Sequence, residues 1–318
     1  MKPVSENELD DLLNILEKHE QELKAFEGVH YVDVGYKFKD GNPIDDILSI
    51  RAHVLEKKKL DELDPSQVIP PRIEEILTDV IQSNPEIPFL SKEAANNLKE
   101  TATNWLVSNK LFDPLRGGIA VWNPRYAFPG TLGMIVFDAR TSEPLGLSNH
   151  HVFVREQGKQ GDPIKQGNIN MDPPEPDAVT VVGTLIRSDE GLDCAVCTFN
   201  NTRKISKEIL RYSQKPTGVR RPLLGMHVTK SGIASGVTYG TIDGVGLRGF
   251  TVIPDPARPS PNGEISMGGD SGSVWLDVAS FKAVGLHFAG ERDPSPRAER
   301  AWANQMVKVA KALDIVFG

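Results

Sequence analysis

Residues 266 to 275 read S-M-G-G-D-S-G-S-V-W. Three glycines, one acid and three hydroxyls suit either a polar turn or nucleophilic machinery with Ser271 as the attacking group. A serine hydroxyl alone does almost no chemistry at neutral pH. It needs a base for its proton, a group that orients the base, and donors for a developing oxyanion. Bases are few among the seven histidines. His150 and His151 stand in G-L-S-N-H-H-V-F, between two apolar runs, where a strand end projects a ring into a cleft. His227 and His287 lie inside strand-like apolar runs and read as core or lining residues. For the orienting acid, Asp193 interrupts L-D-C-A-V-C, and a carboxylate in an apolar strand must find a partner. Asp189, in R-S-D-E-G, reads as a turn residue.

Each feature alone has a bland reading: a turn, a packed ring, a solvated acid. Their combination in the chain order His, Asp, Ser carries more weight, because chain order separates the unrelated folds that use such a triad. All three fall in one β-rich region. From about Leu115 onward, short apolar runs recur between glycine, proline and Asx turns: G-T-L-G-M-I-V-F, A-V-T-V-V-G-T-L-I, L-D-C-A-V-C-T-F, G-V-T-Y-G-T-I and G-F-T-V-I-P. This predicts an all-β barrel or sandwich. The proline-rich M-D-P-P-E-P-D and P-D-P-A-R-P-S-P-N-G read as surface loops. The spacing of Trp302, Met306, Val309 or Ala310, and Leu313 predicts a closing helix over 301–316.

Upstream, residues 7–26 carry leucines at helical spacing, and V-H-Y-V-D-V-G-Y and I-L-S-I-R-A-H-V flank the turn signal Asp40-Gly41, predicting a hairpin. A second helix is expected over 91–109, with Ser91 as N-cap. Residues 1–112 thus read as a small α/β domain and 113–318 as a second, mainly β domain. The net charge of −7 argues against a nucleic-acid or anionic-membrane partner, and no apolar run reaches a membrane span. The N-terminus lacks the apolar core of a secretory signal, so a cytoplasmic location is expected. Cys194 and Cys197 resemble C-x-x-C, but strand residues three apart face opposite ways, about 10 Å apart. They read as two buried free thiols rather than a disulfide or half a zinc site. No metal-ligand pair such as H-E-x-x-H is present, and no cofactor is expected. The G-G-D-S-G-S loop lacks the lysine and following helix of a phosphate cradle.

Residues 115–318 resemble the trypsin-like (chymotrypsin-fold) serine peptidases. S-N-H-H-V-F is similar to their histidine motif, with His151 in the reacting position, D-C-A-V to their aspartate motif, and G-G-D-S-G-S to their nucleophile loop. A-V-G-L-H-F-A-G resembles the strand beside their specificity pocket. G-Y-K-F-K-D-G-N-P, V-I-P-P-R-I, G-T-L-G, G-M-H-V-T-K-S-G and A-W-A-N-Q-M further resemble the narrow-leaf type of plant trypsin-like proteins and its bacterial relatives. The resemblance implies a mainly β, chymotrypsin-like double β-barrel with a C-terminal helix, preceded by the small α/β domain. His151 and Asp193 would come from the first barrel and Ser271 from the second. The backbone N–H groups of Gly269 and Ser271 would form the oxyanion hole, glycine letting the loop turn its amides inward. A protein or peptide would be the substrate. The position that selects basic residues in trypsins is Ile265, which with Ala289 and Gly290 implies an apolar P1 preference.

Two departures stand out. No disulfide is available, and no activation sequence supplies a new N-terminus for Asp270, whose partner is left open. Control by homo-oligomerisation or by the N-terminal domain is expected by elimination. The competing reading is a protease-fold scaffold that binds protein partners without catalysis. Such proteins usually lose a triad member, and none is missing here.

Overall fold

The structure, a computed structural model, describes residues 1–39, 41–87, 103–126, 128–167, 176–260, 263–291 and 299–318. Helix α1 (Glu6–Lys24) starts where Ser5 accepts the Glu8 N–H, with acids in the first turn and Lys24 in the last. Both arrangements favour its dipole. Leu9, Leu12, Leu16 and Leu23 form its buried face. The expected hairpin follows as β1 (Val29–Lys39) and β2 (Asn42–Val54), antiparallel, with Gly41 at φ +81° in the turn and Asp40 outside the described residues. Next come β3 (Arg72–Ile73), β4 (Ile76–Gln82) and β5 (Pro85–Glu86). Of the helix expected over 91–109, the described part is α2 (Thr103–Ser108); Ser91 lies outside the described residues.

The first barrel unit comprises β6 (Leu115–Gly117), β7 (Ile119–Trp122), β8 (Gly130–Leu132), β9 (Met134–Asp138), β10 (Pro144–Ser148), the one-turn helix α3 (His150–Phe153), β11 (Pro163–Gln166), α4 (Asp177–Thr180), β12 (Val181–Asp189), β13 (Cys194–Cys197) and β14 (Ile205–Ile209). Its curved sheet runs β9-β10-β13-β12-β11-β7-β8. The second comprises β15 (His227–Gly232), β16 (Gly236–Val245), β17 (Gly249–Pro254), β18 (Val274–Asp277), β19 (Ala283–Glu291) and β20 (Ala301–Gln305). Its order β15-β18-β19-β20-β17-β16 closes through the β15–β16 ladder, giving a six-stranded barrel. Helix α5 (Met306–Leu313) and β21 (Ile315–Val316) end the chain.

The helix expected over 301–316 is therefore half strand. Residues 301–305 are buried on both faces between β17 and β19. A strand buried on both faces shows no alternation, so its apolar spacing blends into that of α5. Met306, Val309 and Leu313 of α5 pack with Val136 and Leu147 of the first barrel and with Leu276 and Leu286 of the second. One core thus straddles the two barrels and fixes the cleft between them.

The N-terminal segment is built onto the second barrel. β1 adds to the outside of β16, pairing Val34 with Val245 and Gly35 with Gly244. Leu9, Leu16 and Ile50 share a core with Phe250, Val252, Trp275 and Val284. The boundary read at 112/113 in the sequence does not separate two cores. A buried ionic seam runs through the junction: Arg51 forks onto Asp33 (2.6 Å on each oxygen) and reaches Asp243 at 2.8 Å, and Arg300 joins Asp243 at 2.9 Å. Among the described residues no helix is long and apolar enough to cross a membrane.

Candidate active site

Strand β10 ends at Ser148, and the chain turns at Asn149 into α3, which carries His151. The side chain of Asn149 donates to the Asp193 carbonyl at 2.7 Å. Asp193 itself sits in the turn before β13 rather than within a strand, at φ +42°, a conformation that Asp tolerates better than most residues. The apolar letters around it suggest a continuous strand, but β13 begins one residue later. That turn aims the carboxylate at α3. One oxygen accepts the His151 backbone N–H at 2.9 Å and the other meets His151 Nδ1 at 2.6 Å. Both side chains are mostly buried. With Nδ1 held by a carboxylate, the opposite ring nitrogen is left in the tautomer that can accept a proton. Asp189, read from the sequence as a turn residue, is the last residue of β12, and its side chain accepts the Leu192 N–H of the following turn at 2.7 Å. Cys194 and Cys197 are buried free thiols on opposite faces of β13, in different core clusters. Burial pushes the Cys197 thiol up to about 12, so neither competes as a nucleophile.

The loop before β18 carries Gly269, Asp270, Ser271 and Gly272. Gly269 (φ +100°) and Gly272 (φ +92°) adopt backbone conformations that favour glycine. A Cβ on Gly272 would also collide with the Thr131 carbonyl and the Ser148 hydroxyl. The loop is seated on the first barrel beside His151: the Thr131 N–H donates to the Ser271 carbonyl at 2.7 Å, and Thr131 Oγ1 to the Gly269 carbonyl at 2.9 Å. A Cβ on Gly130 would meet both Val152, the neighbour of His151, and the Ser271 carbonyl. The amides of Asp270, Gly272 and Ser273 donate to Met267, His287 and Asp270 carbonyls. Among the described residues nothing accepts from the N–H of Gly269 or Ser271. These are the two amides assigned to an oxyanion hole.

A closed six-stranded barrel, a curved partner sheet, and a glycine-flanked serine loop at their junction settle the architecture. The fold is the chymotrypsin-like double β-barrel. No family profile and no curated protein matches the chain, while solved structures of chymotrypsin-fold serine proteases do. Thermobifida fusca Protease A is 17% identical over 63% of this chain and 96% of its own, with TM-score 0.46. Nocardiopsis Protease is 16% identical over 63% and 97%, with TM-score 0.46. A glutamic acid specific serine protease that uses a histidine triad in substrate binding is 15% identical over 64% and 100%, with TM-score 0.47.

Sequence reasoning left Asp270 without a partner, and the structure supplies one. Asp270 is fully buried, and Lys230, equally buried on β15, lies 2.7 Å from its Oδ2. The other oxygen takes the N–H groups of Ala234 (3.0 Å) and Ser235 (3.1 Å), and the Ser235 hydroxyl and the Met267 N–H complete the shell. Burial opposes the charge, but the ammonium and these donors outweigh it and hold the Asp270 carboxyl below the usual carboxylate range. Gly232 is required here, since a Cβ would strike that carboxylate. The K-S-G of the quoted G-M-H-V-T-K-S-G carried this signal, but nothing in the pattern marked its lysine as buried.

The residues named for the specificity pocket divide. Ile265 is fully buried in the second-barrel core with Val228 and Trp275, so it does not line an open wall. The hydroxyl of its neighbour Ser266 lies 2.3 Å from where a Cβ on Gly290 would be. Among the described residues, the buried Ser266 hydroxyl has no hydrogen-bond partner. Ala289 is buried beside Gly290 on β19. His287, on the same strand, is buried and pushed down to about 3 by desolvation first and by the Lys230 charge next, so its ring is neutral at pH 7. His227 is exposed at the start of β15, 3.3 Å from the Thr241 hydroxyl, rather than packed in a core.

Proposed function

We propose that the chain is a serine endopeptidase that hydrolyses peptide bonds of a protein or peptide through an acyl-enzyme on Ser271. Ser271 Oγ attacks the carbonyl carbon, and His151 Nε2 takes its proton. The Gly269 and Ser271 N–H groups stabilise the oxyanion. His151 returns the proton to the leaving amine as the carbon–nitrogen bond breaks. A water, activated by the same ring, then attacks the acyl ester and releases the acid. Asp193 fixes the ring and stabilises its protonated form. The observation that carries this reading is the pair of bonds from His151 to Asp193, 2.9 Å from the backbone and 2.6 Å from the ring. So specific a clamp on two mostly buried side chains fixes the orientation and tautomer of the ring, which is what a general base requires. Two free cysteines suit a reducing compartment, and the cytoplasm is the proposed location.

The test is pre-steady-state kinetics with an activated p-nitrophenyl ester. A burst of one product per active site is expected, absent in Ser271→Ala. In Asp193→Asn, kcat should fall by about 10⁴-fold with the fold intact. A folded wild type without a burst or turnover would favour the non-catalytic scaffold.

A further inference from the structure

Strand β19 has two edges. One belongs to β20 as far as Gly290, which pairs with Ala301. The other is shared along its length. β18 pairs with it from Ala283 to Leu286. At His287 the nucleophile loop takes over, with the Gly272 N–H donating to the His287 carbonyl at 3.0 Å and the His287 N–H to the Ser273 carbonyl at 2.9 Å. Beyond it, this edge is occupied by β5, where Glu86 pairs with Gly290 and Pro85 with Glu291. The Asn84 N–H anchors the start of that segment on Glu291 Oε1 at 2.7 Å.

An extended peptide presenting its carbonyl to Ser271 must lie along a strand edge beside the nucleophile loop, because main-chain pairing is the sequence-independent way to hold one. β5 already lies on that edge. Its pairing is antiparallel, so from Pro85 to Glu86 the chain advances toward the serine loop. Gly290 is three residues from His287, about 10 Å along extended chain. The backbone groups of Gly290 cannot pair with β5 and with a substrate together.

We infer that residues 84–87 act as a built-in competitor, a strand of the chain's own that occupies the acyl-side substrate edge of β19 and must leave before an extended peptide binds. The inference rests on the peptidase reading above and gives it a means of control. Asp193 already clamps His151, and Lys230 stands inside the fold as the counter-ion of Asp270, where an inserted N-terminus is not needed. Regulation therefore falls on access rather than on assembly of the oxyanion hole. A partner that captures residues 84–87 would activate the enzyme, and so would a cut in this segment.

The test compares wild type with a loosened variant carrying Asn84→Gly, Pro85→Ser, Glu86→Gly and Ile87→Ser. A fluorophosphonate, which needs no strand edge, reports the reactive serine. A fluorogenic peptide with four residues before the scissile bond reports the edge. The expected result is equal fluorophosphonate reactivity, with KM for the long peptide about tenfold lower in the variant and kcat unchanged. That ratio corresponds to an edge covered about nine-tenths of the time in wild type. A synthetic peptide of residues 83–89 should inhibit the variant competitively. Lengthening the substrate from two to four acyl-side residues should improve kcat/KM in the variant and little in wild type. Should the variant not fold, the length series on wild type alone decides: a large gain from the added residues overturns the inference. Equal KM values in the two proteins overturn it as well. Absence of fluorophosphonate reaction in both removes the peptidase reading and this inference with it.

Discussion

The Asp270 carboxylate is the most exacting single group in the site. It sits beside Ser271, is fully buried, and is neutralised by one fully buried lysine. Removing one partner of a buried ion pair costs more than the pair is worth, because the remaining charge stays desolvated. Lys230→Met is therefore expected to lower stability by about 3–5 kcal/mol, measured by urea unfolding, and to slow acylation of Ser271. Lys230→Arg, which keeps the charge, should lose less of both. Equal stability of the methionine variant and wild type would mean that the carboxylate finds protons or other donors at no cost. Residue types alone exposed the triad candidates, because Ser271, His151 and Asp193 each stand out from their surroundings. Lys230 did not stand out, since a lysine in a strand pattern reads as a solvated side chain.

Among the elements, the β1–β2 hairpin has the most to lose from one substitution. Arg51 holds Asp33 and Asp243 together with all three groups at zero exposure, and Gly35 and Gly244 are shaped around its guanidinium. Arg51→Leu leaves two buried carboxylates short of a partner, though Arg300 still reaches Asp243. We expect it to loosen the hairpin, visible as faster amide hydrogen exchange in β1 and β2 with the second-barrel strands β18 and β19 less affected. Uniform acceleration across the protein would show instead that the hairpin and the barrel open as one unit. Periodicity made α1 legible, because one face of it is wet; the hairpin, buried on both faces over 32–36 and 49–54, was marked instead by its apolar runs and turn signal. Periodicity failed at 301–305, where both faces of β20 are buried, and it could not show that β1 pairs with β16. Such pairings join residues two hundred positions apart, and apolar alternation carries no address.

For the whole molecule, pH dependence follows from histidines kept neutral by burial. Desolvation is the leading cause for both: His53 is pushed down to about 4 and His287 to about 3. Their ordinary value is about 6.5. Between those limits the unfolded chain binds protons that the folded protein refuses, so stability rises with pH and is lost on acidification below about 6.5. Each histidine contributes a slope of about 1.4 kcal/mol per pH unit within that window. The decline should begin near pH 6, above the range in which ordinary carboxylates titrate, and His287→Gln should make it shallower if the variant folds. A stability plateau from pH 7 to 4.5 would contradict the burial assigned to these rings. At this scale the first barrel unit holds His151 and Asp193, the closed barrel holds Ser271, and α5 packs into both.

Covalent labelling probes the activation of Ser271 without a peptide substrate. Wild type, Ser271→Ala and His151→Ala would be treated with a fluorophosphonate and the adduct located by peptide mass spectrometry. One adduct per chain is expected, on Ser271, absent from the Ser271→Ala protein and strongly slowed in the His151→Ala protein. A folded wild type that takes up no label, or takes it up at another residue, would contradict the activation of Ser271.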